Sequence, residues 1–469
     1  MPFPALLIGG LLLLAALSYI LHDWQRESAL LSAAILCGLG VSLWLVDLDQ
    51  INNLGEAGAS SGLTSPLERA GFTFQLSTAV TPALVLALLI GALVLLCAAI
   101  LPQSYNFVPL TLLLLSGYSA LFLLSSAPLA PPLLTPIFLT LASGVAIFLL
   151  QADRNSNASG PLRMLIPPLL AAPLAFVITY YLEQSGLNPQ ADTTIRIAIP
   201  LMALMFVFMA APVPLHSAQP VTAQTAPPIA SALVTLLYQL ALLHWLRQVG
   251  GAFPAIREEG SLNQLLVLMG LLTALWGGVA ALGANNLGRL WGYSALHDWG
   301  LILLIAAAPG LKSWSLMFFL FGLRTVSVLT TAIGLANLEQ AVGSLEIRFM
   351  QGAGSRLPWS SAAYLLGGLG LVGFPLSAGF TGHWSALLLI AEADWRLSAI
   401  ILVASAAAII GYINVARRLY GPIENRTIFR ERLPNALLAA FVLLVSISVA
   451  IAPQLLDGPV SRAVAVLGS

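Results

Sequence analysis

Three ionisable residues stand inside long apolar stretches, where an uncompensated charge is costly. Asp298 directly follows His297, and Arg324 lies in the next apolar stretch along the chain. An unpaired carboxylate at the centre of a bilayer costs about 2.5–3.5 kcal/mol on insertion scales. Asp298 is therefore expected to be paired, protonated or in contact with water, and Arg324 is its predicted partner. Such a pair is either a structural ion pair or the remnant of a proton relay.

Three further histidines are candidates for proton handling, because imidazole is the side chain most easily switched near neutral pH. His383 follows an interruption rich in Gly and Pro. It either handles protons or is a neutral, hydrogen-bonded histidine of the core. His216 lies just beyond a second interruption, where it either carries protons or bonds to carbonyls that the interruption leaves free. His244 and Arg247 come near the end of an apolar run, and the simpler interpretation is that both reach the membrane interface.

Independent catalysis finds no support in the sequence. No paired carboxylates, Ser/His/Asp arrangement or phosphate-cradling loop is recognisable. Cys37 and Cys97 have no CxxC spacing and no His at ligand spacing, so neither a disulfide framework nor a metal site is predicted. Ligands for flavin, haem or an iron–sulfur cluster are also missing, and we expect no cofactor in this chain. With 19 basic and 19 acidic residues, no cluster suggests nucleic acid as a partner.

The composition predicts a membrane protein that crosses the bilayer many times. Hydrophobic residues make up 59% of the 469 residues and charged residues only 8%, against roughly 25% charged in a soluble domain. A spanning helix needs about 20 apolar residues, and about fourteen such runs predict an all-α fold. The predicted spans lie near 3–21, 28–46, 79–100, 107–127, 133–151, 163–182, 196–212, 229–246, 263–283, 288–307, 314–336, 361–392, 397–416 and 435–453.

Two of these spans are predicted to be broken. Pro212 and Pro214 interrupt the seventh span, and Gly373, Pro375 and Gly379 interrupt the twelfth. Each is the fourth member of a five-span block, spans 4–8 and spans 9–13. Because five is odd, the second block is inverted relative to the first, as in many transporters with sites at mid-membrane. Broken helices survive in a bilayer only where protein or water satisfies the freed backbone groups, so both are expected to point inward.

The spans divide the chain into four predicted parts. An N-terminal three-helix segment, 1–106, carries an extramembrane loop at 47–75. The two five-helix repeats occupy 107–247 and 263–416, and a cytoplasmic loop with the last helix occupies 417–469. Basic residues are more numerous in the loops that follow odd-numbered spans, which predicts those loops in the cytoplasm and both termini outside.

Three segments together resemble the antiporter-like membrane subunits of respiratory complex I and of the related Mrp antiporters. From the seventh-span break the chain runs HSAQPVTAQTAPPIAS. Two more segments are similar to the family, NLGRLWGYSALHDWG at 286–300 and GFPLSAGFTGHW at 373–384. The residues that match the family pattern at the first segment are Pro214, His216, Pro220, Ala226, Pro227 and Ser231.

The resemblance implies a glutamate in span five and lysines in spans seven, eight and twelve that relay protons at mid-membrane. This sequence departs from that pattern. Met209 stands at the lysine position of span seven and His383 at that of span twelve, while span five has no acid and 238–242 has no base. Lys312 is the single lysine, and it lies in a loop. Arg cannot be deprotonated in a protein, so arginines keep charge without relaying protons.

These observations leave three hypotheses open. The first is an antiporter-like subunit of a complex I-type quinone oxidoreductase, whose own proton channel is impaired or rerouted through His383, Asp298 and Arg324. The second is a subunit of a multi-subunit cation/proton antiporter or of an inorganic-carbon uptake complex. The third is a structural spacer. The first implies other membrane subunits and the lipid bilayer as partners, in a prokaryotic inner membrane or a thylakoid-type membrane, with the redox centres elsewhere.

Overall fold

Runs of Leu, Ala and Val form helices because a backbone within lipid satisfies its N–H and C=O groups only internally. The computed structural model describes residues 2–46, 63, 65–69, 71–124, 130–151, 157–187, 192–253, 256, 261–308, 311–423 and 430–465. Almost all of them are helical, as predicted.

In chain order the helices are α1 Phe3–Ile20, α2 Gln25–Leu45, α3 Thr81–Ile100, α4 Phe107–Leu123, α5 Ala130–Leu150, α6 Ser159–Arg163, α7 Ile166–Leu187, α8 Asp192–Ala210, α9 Ala218–Thr225, α10 Pro228–Ala252, α11 Ser261–Leu282, α12 Leu287–Ala307, α13 Leu311–Val342, α14 Ala353–Arg356, α15 Pro358–Gly370, α16 Phe380–Leu419, α17 Leu433–Ile451 and α18 Asp457–Ala465.

The helices make a multi-pass membrane protein. Within the described residues, twelve stretches have the length and hydropathy of a membrane span, and the apolar helix α4 is shorter, with 17 residues. An unbroken helix of 40 residues, the number in α16, would be about 60 Å long, twice the thickness of a hydrocarbon core. Since the backbone of α16 leaves the helical conformation at Asp394, this helix supplies parts of two passes. The described helices thus account for about fourteen passes, as predicted.

The seventh span is broken where Pro212 and Pro214 lie. Helix α8 ends at Ala210, a 3-10 turn covers Leu215–Ser217, and α9 resumes the span. Neighbouring helices bind the backbone groups that the break sets free. The Tyr238 hydroxyl donates to the Met209 carbonyl at 2.9 Å, and the Trp299 indole donates to the Ala210 carbonyl at 2.9 Å. The predicted break is therefore confirmed, and it faces protein rather than lipid.

The twelfth span is broken between α15 and α16. Gly373 and Pro375 lie in the non-helical segment, and Gly379 directly precedes α16. Gly373 has a φ of +68°, a conformation that favours glycine. A side chain at Gly379 would overlap the carbonyl oxygen of Gly370, so glycine is required there for the two half-helices to approach each other. This predicted break is also confirmed.

Parts outside the spans differ in detail from the prediction. Of the expected loop at 47–75, residues 47–62, 64 and 70 lie outside the described part, and the rest includes a small antiparallel hairpin, Leu67–Arg69 with Phe72–Phe74. Helix α16 continues to Leu419, so the predicted loop at 417 begins later. Helix α18 follows the last span and was not predicted. The four-part division of the chain stays a prediction.

Candidate functional site

Asp298 and Arg324 meet inside the bundle. Asp298 lies on α12 and Arg324 on α13, and the structure places Arg324 Nη1 2.6 Å from Asp298 Oδ2. The two side chains are 2% and 0% exposed. Two opposite charges at this distance, both hidden from water, neutralise each other and replace part of the lost hydration.

Arg324 is held by more than its ion pair. Its Nε donates to the Gln239 side-chain oxygen on α10 at 2.9 Å, and Nη1 also donates to the Ala295 carbonyl at 2.8 Å. The guanidinium carbon lies 5.8 Å from the centre of the Trp299 ring, within cation–π range. Among the described residues, Nη2 has no hydrogen-bond partner. Arg324 thus ties α10, α12 and α13 together at one point.

His383 approaches the same carboxylate from the broken twelfth span. Its Nε2 lies 3.4 Å from Asp298 Oδ1, without the alignment of a hydrogen bond. Its Nδ1 lies 3.1 Å from the Gly379 carbonyl oxygen, which can only accept, so Nδ1 is the donor in this contact. A side chain at Gly373 would come within 2.7 Å of His383. The break therefore wraps closely around the imidazole and fixes its direction.

His297 continues the line away from the ion pair. Its ring stacks on that of His383, with centroids 6.2 Å apart and planes 18° from parallel. Nδ1 donates to the Ala274 carbonyl at 2.7 Å, and Nε2 lies 2.9 Å from the Ser405 hydroxyl. Because a hydroxyl both donates and accepts, this contact suits either a neutral or a charged ring. We call the line the polar axis; its members are Gln239, Arg324, Asp298, His383, His297 and Ser405.

His216 and Met209 lie on the other broken span. Met209 is fully buried among apolar side chains. His216 is half-buried, with its ring centroid 6.0 Å from that of Trp276. A cavity of about 50 Å³ lies between His216 and the polar axis, since Tyr238, Gln239 and Trp299 also line it. A cavity of this size has room for water.

His244 lies apart from the polar axis. It is 3% exposed and Arg247 is 7% exposed, so both side chains are buried in the protein rather than extended to the interface. They line a second, larger cavity. The proton-pathway role of His244 stays a prediction.

Sequence reasoning missed several residues that complete the site. Gln239 and Ser405 are the two ends of the polar axis, and Trp299 braces the break of span seven. Gln239 had a signal, because it is a lone amide in an apolar run, LLYQLALL. Ser405 had none, since a helix tolerates a serine whose hydroxyl bonds back to its own backbone. Within the described ranges, no group of three His, Cys, Asp or Glu residues is placed to hold a metal ion.

Residues 173–410 match the protein family described as NADH:quinone oxidoreductase/Mrp antiporter, TM. The matched stretch is just over half of the chain and contains both broken spans and the whole polar axis. The chain belongs to this family. The resemblance of the three segments to this family is thereby confirmed.

Individual relatives agree with this membership. The NADH-quinone oxidoreductase subunit N of Ectopseudomonas mendocina (strain ymp) is 28% identical over 244 residues, which cover 50% of this chain and 48% of that protein. The chain spans about half the length of the curated relatives it matches.

Two solved structures share the fold over almost their whole length. A chain of the membrane-bound sulfane sulfur reductase, an archaeal respiratory membrane complex, gives a TM-score of 0.80 at 17% identity and covers 98% of this chain and 97% of that chain. A chain of respiratory complex I from Thermus thermophilus with bound NADH gives 0.76 at 18% identity, with coverages of 97% and 98%. At such identities the likeness shows the fold alone.

Proposed function

We propose that this chain is an antiporter-like membrane subunit of a complex I-type quinone oxidoreductase, and that its polar axis takes part in proton translocation. It would lie in a prokaryotic cytoplasmic membrane or a thylakoid-type membrane, with both termini outside. The redox centres would belong to other subunits. The observation that carries the proposal is the buried contact of His383 with the Arg324–Asp298 ion pair.

The contact between His383 and Asp298 supplies a site for one proton. With Nδ1 donating to the Gly379 carbonyl, Nε2 is the ring nitrogen that faces the carboxylate, 3.4 Å from Asp298 Oδ1. Without a proton on Nε2, this nitrogen and Asp298 Oδ1 are two acceptors that face each other. A proton on Nε2 makes the imidazole positively charged, and it then forms an ion pair with the carboxylate. Since Arg324 already neutralises Asp298, a proton taken up on Nε2 would give the cluster one positive charge. Titratable groups with a movable proton in a dry, fixed frame are the elements of a relay.

The axis has a continuation on each side. Beyond His383, the stacked His297 keeps its contact with Ser405 whether or not it carries a second proton. Beyond Arg324, the cavity lined by Gln239 and His216 reaches the broken seventh span. This arrangement supports a proton path through the second repeat, with Arg324 as a fixed charge at the junction between the repeats.

The described residues of the first repeat support no separate path. The resemblance places a lysine where Met209 stands, and Met209 packs in an apolar core. Arg324 stays charged under all ordinary conditions, so it can orient Asp298 but cannot pass a proton on. Proton translocation in this chain is therefore rerouted rather than carried by the lysine and glutamate set that the resemblance implies.

A second candidate function is a subunit of a cation/proton antiporter, because the family description also names the Mrp antiporter. An inorganic-carbon uptake complex belongs to the same class of transport. These functions predict ion or bicarbonate flux without a quinone. The third hypothesis, a structural spacer, predicts that substitutions in the polar axis change stability but no flux.

Co-purification separates these functions. The tagged chain is extracted in gentle detergent, and the polypeptides and the electron-transfer activity that accompany it are identified. The proposal expects redox subunits and electron transfer to a quinone analogue. Partners without redox centres, together with sodium- or bicarbonate-dependent flux in vesicles, would replace it by the transport alternative.

A further inference from the structure

A cavity of about 370 Å³ lies between α2, α3, α10, α13 and the C-terminal helix α18, apart from the polar axis. Its deep part is apolar, with walls that include Leu240, Phe321 and Leu89. Its only charged wall residue among those described is Arg247. The cavity therefore has one polar end and one apolar end, as expected of a binding site for an amphiphilic molecule.

The polar end lies toward the C-terminal end of α10. Arg247 comes five residues before the end of α10 at Ala252, which is about 7.5 Å along a helix. Trp44, at the end of α2, and Pro459, in α18, line the same end. Leu240 lies about 10 Å deeper along α10. An amphiphile here would have its head group at the interface and its chain in the hydrocarbon layer.

Within the described residues, no acidic side chain pairs with Arg247 at this end. It is 7% exposed, and no ion pair or hydrogen bond to its guanidinium is found among the described residues. His244 lies on the same helix face, one turn earlier. Its ring nitrogens have no well-aligned partner in the described part of the chain, although the ring lies close to the Phe122 backbone. A buried cation without a partner is costly, and guanidinium matches phosphate oxygens bidentately.

The rim and the side of the cavity favour a lipid from the bilayer. Val41 and Leu89 line the cavity and are 46% and 38% exposed, so its wall at α2 and α3 is not covered by protein. Arg462 on α18 donates to the Trp44 carbonyl at 2.6 Å and stacks over the Trp44 ring at 4.0 Å. A second positive charge thus stands at the rim. Two cations favour an anionic head group over a zwitterionic one.

We propose that this cavity binds one anionic phospholipid, with its phosphate on Arg247 and one acyl chain between α2, α3, α10 and α13. Leu456, Pro459 and Val460 form the wall on the C-terminal side. The lipid would join the N-terminal helices to the first repeat and to the C-terminus. This proposal does not depend on the proposed function.

Lipid titration tests the proposal. The full chain is delipidated by prolonged detergent exchange and titrated with palmitoyl-oleoyl phosphatidylglycerol or the matching phosphatidylcholine, and bound lipid is counted by native mass spectrometry. We expect one tightly bound phosphatidylglycerol per chain and weaker binding of phosphatidylcholine. Arg247→Gln is expected to weaken phosphatidylglycerol binding by about tenfold or more, because a charge-assisted hydrogen bond is lost.

Two further variants separate charge from shape. Ala83→Trp fills the apolar part of the cavity and should abolish binding while leaving Arg247 in place. Arg348→Gln removes an arginine that pairs with Glu346 on the surface and should bind like the wild type. Equal binding of the two lipids by the wild type, or equal phosphatidylglycerol binding by wild type, Arg247→Gln and Ala83→Trp, would overturn the proposal. So would retention of a neutral quinone in place of the phospholipid.

Discussion

Arg324 Nη1 and Asp298 Oδ2 lie 2.6 Å apart in a part of the bundle where neither side chain reaches solvent. The pair connects two helices that are neighbours in sequence to a histidine from the broken twelfth span. A buried ion pair is weak support for stability by itself, because desolvation offsets most of the Coulomb attraction. The functional argument for the ion pair is its position beside the titratable imidazole of His383.

Asp298→Asn is expected to destabilise the protein strongly. The substitution leaves Arg324 buried with a full charge and a neutral partner, a change that costs about 3–5 kcal/mol in comparable pairs. Thermal unfolding in detergent should show a large drop in Tm. Glu346→Gln, which removes the partner of the exposed Arg348, is the matched control and should have a much smaller effect.

The double variant Asp298→Asn/Arg324→Gln, compared with its two single variants, completes a double-mutant cycle for this pair. Because it removes both charges, it should recover part of the stability that Asp298→Asn loses. A double variant as unstable as the sum of the two single variants would show that the two side chains are not coupled.

Met209→Lys restores the basic residue that the resemblance places in span seven. Met209 is fully buried in an apolar core, so the new ammonium would be desolvated without a prepared partner. We expect a lower Tm and no increase in protons moved per electron. Met209→Leu, a volume-conserving change, should leave both quantities near those of the wild type. A rise in proton movement with Met209→Lys would contradict a rerouted path and favour a lysine relay that one substitution can repair.

Gly379→Ala tests whether the break in span twelve needs its close backbone approach. The added methyl group would overlap the Gly370 carbonyl and force the half-helices apart, at a cost of about 1–3 kcal/mol. Gly144→Ala is the control, since no atom lies within 4 Å of the added carbon there. Limited proteolysis and Tm should distinguish the two variants. Equal behaviour would mean that the break tolerates a wider separation.

The sequence predicted the helices and the breaks because both depend on local properties. Apolar run length determines the spans, and the pair Pro212 and Pro214 and the segment with Gly373 and Pro375 interrupt two of them. A lone proline is not sufficient, since Pro173 and Pro200 lie inside continuous helices. The pairing of Asp298 with Arg324 followed from the cost of an isolated charge, which leaves few partners in such a chain.

Contacts between helices that are far apart along the chain could not be predicted from the sequence, because they depend on how the helices pack. The bond from Arg324 to Gln239 joins positions 85 residues apart, and that from His297 to Ser405 joins positions 108 apart. Nothing local to Ser405 indicates that it faces His297. The burial of Arg247 was missed for a similar reason, because an arginine near a helix end ordinarily reaches the interface. Here α2, α3 and α18 close around it.

Proton stoichiometry is the most direct test of the polar axis. The assembly that contains this chain is reconstituted in vesicles, and protons moved per electron are measured for the wild type, His383→Gln and His22→Gln. His22 is a surface histidine next to Asp23 and serves as the control. We expect fewer protons moved per electron for His383→Gln only, with electron transfer retained, because the glutamine amide cannot take up the proton that the imidazole accepts at Nε2. An unchanged ratio in a correctly folded His383→Gln variant would contradict this expectation and leave the polar axis a structural feature.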